Sequence, residues 1–103
     1  MTDSLIAWHV YQISSDSSSL NGVGLRGTIR KLALERGFNV ISENTEDAEN
    51  GVRFAVIDDA HAEIIRSYVL SIIADAQIEK VLDGVHNPVV SKIKVNDESR
   101  YTL

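Results

Sequence analysis

The spacing of apolar residues switches between β-type runs and a period of 3.6, and this switching constrains the fold more than any other feature. Leu5 to Ile13 contains Ile6, Trp8, Val10 and Tyr11, all β-favouring types, and predicts a strand. From Leu25 the spacing turns helical, with Leu25, Ile29, Leu32 and Ala33 on one face and Arg30, Lys31, Glu35 and Arg36 mostly off it. Arg36 followed by Gly37 is a helix stop, a cation near the negative end and then a residue that accepts positive φ. Phe38 to Ser42 and Val52 to Ile57 read as strands of a hairpin, joined by the acidic, turn-rich stretch Glu43 to Asn50. Asp58 and Asp59 can cap a second helix, whose stripe is Ile64, Ile65, Tyr68, Val69, Ile72 and Ile73 and whose end is expected near Asp75 or Ala76. Ile78 to Leu82 and Val89 to Val95 predict two more strands, the last alternating Val89, Ser91, Ile93 and Val95 against Lys92 and Lys94.

The resulting order, β, α, β, β, α, β with an extra C-terminal strand, predicts an α+β, ferredoxin-like (split βαβ) sandwich. An antiparallel sheet would carry two helices on one face. With 103 residues, 44% of them hydrophobic, the chain suits one domain over 1–103, with loose termini at 1–4 and 97–103. It has no cysteine, which excludes disulfides and thiolate chemistry and makes a reducing cytoplasm the expected location. The net charge of −5 argues against a general nucleic-acid binder, whose affinity comes from neutralised phosphates. Met-Thr-Asp-Ser at the start lacks the basic-then-apolar pattern of a signal peptide. The longest apolar-rich stretch, Tyr68 to Ile73, is far too short to span a bilayer, so no membrane partner is expected.

Leu20-Asn21-Gly22-Val23-Gly24-Leu25-Arg26 is the segment that carries chemistry. Glycines before a helix let the backbone turn sharply and expose N–H groups, and the helix N-terminus adds about half a positive charge. Such a turn can cradle a small dianion such as phosphate. Arg26, in the first turn, is unfavourably placed beside that positive end unless something negative sits there, and its fork suits two oxygens of one anion.

These residues resemble the active-site loop of the acylphosphatase family, approximately Val-Gln-Gly-Val-Gly-Phe-Arg. Both glycines, the valine and the arginine are kept. Ala33 and Gly37-Phe38 stand where the family has an alanine and a Gly-Leu pair. The family's catalytic asparagine lies 18 residues beyond its arginine, and 18 residues beyond Arg26 stands Asn44, followed by Thr45. The resemblance implies a hydrolase that cleaves the carboxyl–phosphate bond of small acyl phosphates. Catalytic residues would be Arg26 and Asn44. The phosphate-binding loop would be Asn21, Gly22, Val23, Gly24, Leu25 and Arg26, with no metal or other cofactor. The partners implied are a small acyl phosphate and inorganic phosphate as product or inhibitor, and the chain is expected to be a monomer.

The sequence departs from the family pattern at several points. Ser14 to Ser19 adds residues before the loop and reads as an exposed flexible segment. Val40 and Ile41 replace a glycine and an aromatic residue, and Glu46 to Gly51 lengthens a tight turn. Four acidic residues between 43 and 49 would repel an anion if they faced the site. These departures keep an alternative open, an acylphosphatase-like domain that binds anions or a protein partner without efficient turnover. His9, His61 and His86 show no metal-ligand spacing, and His61 reads as a neighbour of the second helix cap. Trp8 and Tyr11 fall on opposite faces of the first strand, Trp8 toward the core and Tyr11 free to flank a ligand.

Overall fold

The structure, a computed structural model, describes residues 6–17, 19–20, 24–46, 50–86, 88–90 and 94–95. Its elements are β1 (Trp8–Ser14), α1 (Leu25–Arg36), β2 (Val40–Asn44), β3 (Gly51–Val56), α2 (Asp59–Ile72), β4 (Gln77–Val85), β5 (Pro88–Val89) and β6 (Lys94–Val95). β1 to β4 form an antiparallel sheet in the order β2-β3-β1-β4. The fold is thus α+β, a four-stranded antiparallel sheet with two helices, and is compatible with a ferredoxin-like arrangement.

The helical stripes explain where the core sits. Leu25, Ile29 and Leu32 of α1 and Ala62, Ile65 and Val69 of α2 join one buried cluster with Tyr11, Ile13, Val52, Phe54, Val56 and Ile78 of the sheet. Both helices therefore cover the same sheet face. The other face carries a smaller cluster, Val10, Ala55 and Val90, with Trp8, Ile41, Val81, Leu82 and Val85 against it. Arg53, 1% exposed on that second face, donates from Nε to Gln12 Oε1 at 2.8 Å and from Nη1 to Val90 O at 3.4 Å.

Several expectations are corrected. Val89 to Val95 is not one strand, because Pro88 pairs with Val95 and Val89 with Lys94 in an antiparallel two-stranded sheet. The apparent alternation gave no weight to Val90, which is buried against the second face. α2 stops at Ile72, before Asp75, whose carboxylate is engaged elsewhere. β2 begins at Val40 because Phe38 still belongs to the helix stop: Gly37 takes φ +79, and the N–H groups of Gly37 and Phe38 both donate to Ala33 O. The expected loose termini lie outside the described residues.

Candidate functional site

α1 begins as the sequence suggests. Gly24 caps it with φ +68 and ψ +34, contributes no side-chain cap, and the first turn holds no acidic residue. In that turn Leu25 N–H donates to Leu20 O and Thr28 N–H to Gly24 O. Of the expected loop residues, Asn21, Gly22 and Val23 lie outside the described residues. The two ends of the loop are defined. Leu20 and Leu25 are buried in the core, and Leu25 N–H donates to Leu20 O at 3.2 Å.

Arg26 projects from this first turn and is exposed. Its Nη1 lies 3.8 Å from Glu43 Oε1. One turn further on, Arg30 Nη2 donates to Ser42 O at 2.9 Å and to Glu43 Oε2 at 3.3 Å. Two arginines spaced i, i+4 thus reach across the β2 edge and share one carboxylate. The residue after Glu43 is Asn44, half-buried at the end of β2 and opposite Val52. Its register puts it on the face that bears Ser42–Phe54 and Val40–Val56, the face under the helices. The fold therefore brings the α1 N-terminus, Arg26 and the strand end carrying Asn44 to the same edge of the sheet.

Within Ser14 to Ser19, expected to be an exposed flexible segment, Ser15 is buried and both Ser15 and Ser17 are tied to Asp75. Ser15 Oγ donates to Asp75 Oδ1 at 2.8 Å, and Ser17 N–H donates to Asp75 Oδ2 at 3.2 Å. These hydrogen bonds hold the Asp75 carboxyl below the usual aspartate range. Asn50, in the β2–β3 turn, bridges the same segment: Nδ2–H donates to Ser15 O at 3.0 Å and Oδ1 accepts from Leu20 N–H at 2.7 Å. The sequence reading missed Glu43 as the Arg26 partner, Arg30, Asn50 and Asp75. The Arg26–Arg30 spacing was visible in the chain, but the other contacts join residues far apart in sequence.

Tyr11 does not flank this site. Its ring stacks on Phe54 at 5.2 Å in the core, and its hydroxyl donates to Asp59. Burial first, and then Asp59, push its pKa up to about 12. Asp59 and Asp83 both accept from Lys80, at 3.2 and 3.1 Å, and Asp83 lies 2.8 Å from His9 Nδ1. The Tyr11 bond, and then Lys80, hold Asp59 low, while Lys80 and then His9 hold Asp83 low. This network joins β1, β4 and α2 and includes neither Arg26 nor Asn44. His61 is stacked on Phe38 at 4.3 Å, beside the cap that Asp58 forms by accepting from Ala60 N–H.

A groove of about 260 Å³ between the helices, lined by Thr28, Lys31, Leu32, Glu35 and Tyr68, also excludes Arg26 and Asn44. Among the described residues no cluster of His, Asp and Glu could hold a metal ion, and no helix is long and apolar enough to cross a membrane. Comparison with protein-family models, curated proteins and solved structures finds no match.

Proposed function

We propose that this protein is an acylphosphatase-type hydrolase on a ferredoxin-like fold, acting on small acyl phosphates in the cytoplasm as a monomer. The reading is carried by one arrangement: an α1 capped by Gly24 with no acidic residue in its own first turn, and Arg26 reaching across to the strand end that bears Asn44. The phosphoryl group would take the Arg26 guanidinium and the loop amides of residues 21–26 other than Leu25, whose N–H already donates to Leu20 O. Asn44 would orient a water for in-line attack on phosphorus. The bond between phosphorus and the acyl oxygen then breaks, the water proton passes to a phosphate oxygen, and carboxylate and inorganic phosphate leave. Positioning and charge stabilisation supply the catalysis.

The Glu43 carboxylate on Arg26 supports a second reading, a weak enzyme or a pure anion binder, because bound phosphate must displace or share that partner. Hydrolysis of benzoyl phosphate, followed by its ultraviolet absorbance, separates the two. Arg26→Ala is expected to abolish turnover and most phosphate binding, whereas Asn44→Ala abolishes turnover and leaves phosphate binding largely intact. Wild-type activity in either variant overturns the enzyme assignment, and phosphate binding without hydrolysis by the wild type leaves the anion binder.

A further inference from the structure

The geometry points to His9 as a proton switch for a bulge in the β1–β4 pairing, a device separate from the phosphate site. Val10 pairs with Leu82 and Trp8 with Val85, so Asp83 and Gly84 of β4 together stand opposite the single residue His9. Two residues against one is the count of a β-bulge, and Gly84 accommodates it with φ +65. β4 ends the strand order of its sheet, so the bulge lies at a sheet edge and its residues can change partner without repacking the core.

Both bulged residues address one atom. His9 Nδ1 lies 2.8 Å from Asp83 Oδ1, and Gly84 N lies 3.2 Å from the same nitrogen. The two contacts make opposite demands. Gly84 N–H needs a lone pair on Nδ1, which a neutral ring offers when its proton sits on Nε2. The Asp83 carboxylate only accepts, so it needs a proton on Nδ1. One nitrogen cannot meet both demands at once. Neutral His9 accepts from Gly84 N–H and closes the bulge. A proton taken from solvent onto Nδ1 turns the ring into a donor to Asp83 and releases Gly84 N–H. Imidazole is the side chain whose ordinary charge change falls between pH 5 and 8. The His9 side chain is 22% exposed, so solvent protons reach it. Around it stand Asp83 and Lys80 from β4 and Asp59 from the start of α2, while its β3 neighbour is the apolar Val56. Lys80 already bonds Asp83 Oδ1 at 3.1 Å and Asp59 Oδ2 at 3.2 Å, and Tyr11 of β1 donates to Asp59. The imidazolium therefore completes a row of alternating charge, His9, Asp83, Lys80, Asp59. His86, two residues beyond Gly84, is engaged elsewhere, with Nδ1 2.8 Å from Ile6 O.

The test follows imidazole ring nitrogens and backbone amides of the full-length protein by NMR from about pH 8 down to about pH 5. The switch requires Nδ1 of His9 to be bare at the alkaline end and protonated at the acid end, with the Gly84 amide shift following the same midpoint as the ring. Exchange protection of the Gly84 amide, corrected for the intrinsic effect of pH, should fall about two- to tenfold toward acid, the range that loss of one net hydrogen bond spans. In Asp83→Asn the His9 midpoint should move to lower pH, because an attractive carboxylate is gone. In His9→Gln the Gly84 response should vanish. A proton on Nδ1 at the alkaline end, or a Gly84 amide indifferent to pH, overturns the proposal. So does a Gly84 response that persists in His9→Gln, which would belong to His86. If His9→Gln does not fold, His86→Gln takes its place: the Gly84 response must survive that change, and its loss overturns the switch.

Discussion

Replacing Glu43 with glutamine should tighten phosphate binding. In the free protein the Arg26 guanidinium faces the Glu43 carboxylate at 3.8 Å, and the side chains are 44% and 40% exposed. Two unit charges at that separation attract by about 1 kcal/mol in bulk water. Exposed pairs of this kind retain roughly 0.2–1 kcal/mol once side-chain entropy and salt are included. An incoming phosphate that takes Arg26 forfeits that contact and also meets the carboxylate as a like charge. Glu43→Gln keeps the shape and removes both penalties, so phosphate affinity should rise by about two- to fivefold at low salt. The gain should shrink as salt rises, since screening acts over about 8 Å at physiological ionic strength. Calorimetric titration of both proteins with inorganic phosphate, at low and at high salt, measures this directly. An unchanged or weaker affinity in folded Glu43→Gln would refute the view that Glu43 competes for the anion-binding arginine.

Two glycines near the site should respond in opposite directions. Gly24→Ala forces a side chain into φ +68 and should cost about 1–2 kcal/mol, whereas Gly27→Ala, inside α1 with nothing within 4 Å of the added Cβ, should gain about 0.5–1 kcal/mol; urea midpoints compare them. Acid should weaken the fold with a defined sign. Asp59, Asp75 and Asp83 are all held below the ordinary aspartate range, so their stabilisation is present above about pH 4 and is lost as pH falls through the lowered values; urea midpoints measured from pH 7 to pH 2 should decline mainly below pH 4. Phe54→Ala, at a fully buried position stacked on Tyr11, should cost about 3–5 kcal/mol by the same measurement.

Much of the architecture was legible because each helix buries one stripe, although in α2 the expected stripe is only partly buried: Ile65, Val69 and Ile73 are in the core, whereas Tyr68 and Ile72 are exposed. Leu25, Ile29, Leu32 and Ala33, and likewise Ile65 and Val69, repeat at helical spacing, and burial on a single sheet face is what that spacing encodes. The Gly37 stop and the Asp58 cap were legible for the same local reason, since each acts within one turn. The C-terminal strand misled because alternation alone does not separate one long strand from two short ones that pair with each other, and Val90 is claimed by a sheet face built from distant residues. Around the candidate site, the αL turn at Gly24 and the exposed Arg26 follow from local chemistry. The Glu43 partnership and the Asn50 and Asp75 ties depend on how β2, β3 and α2 dock, so no spacing in the chain foretells them.

The central claim is that a phosphoryl group binds at the α1 N-terminus under Arg26. Backbone amide shifts followed through a titration with inorganic phosphate test it most directly. The account requires the largest changes at Gly24 to Gly27, saturating with phosphate and absent in Arg26→Ala. Amides there that stay still, or changes centred instead on Lys31 and Arg36, would contradict it.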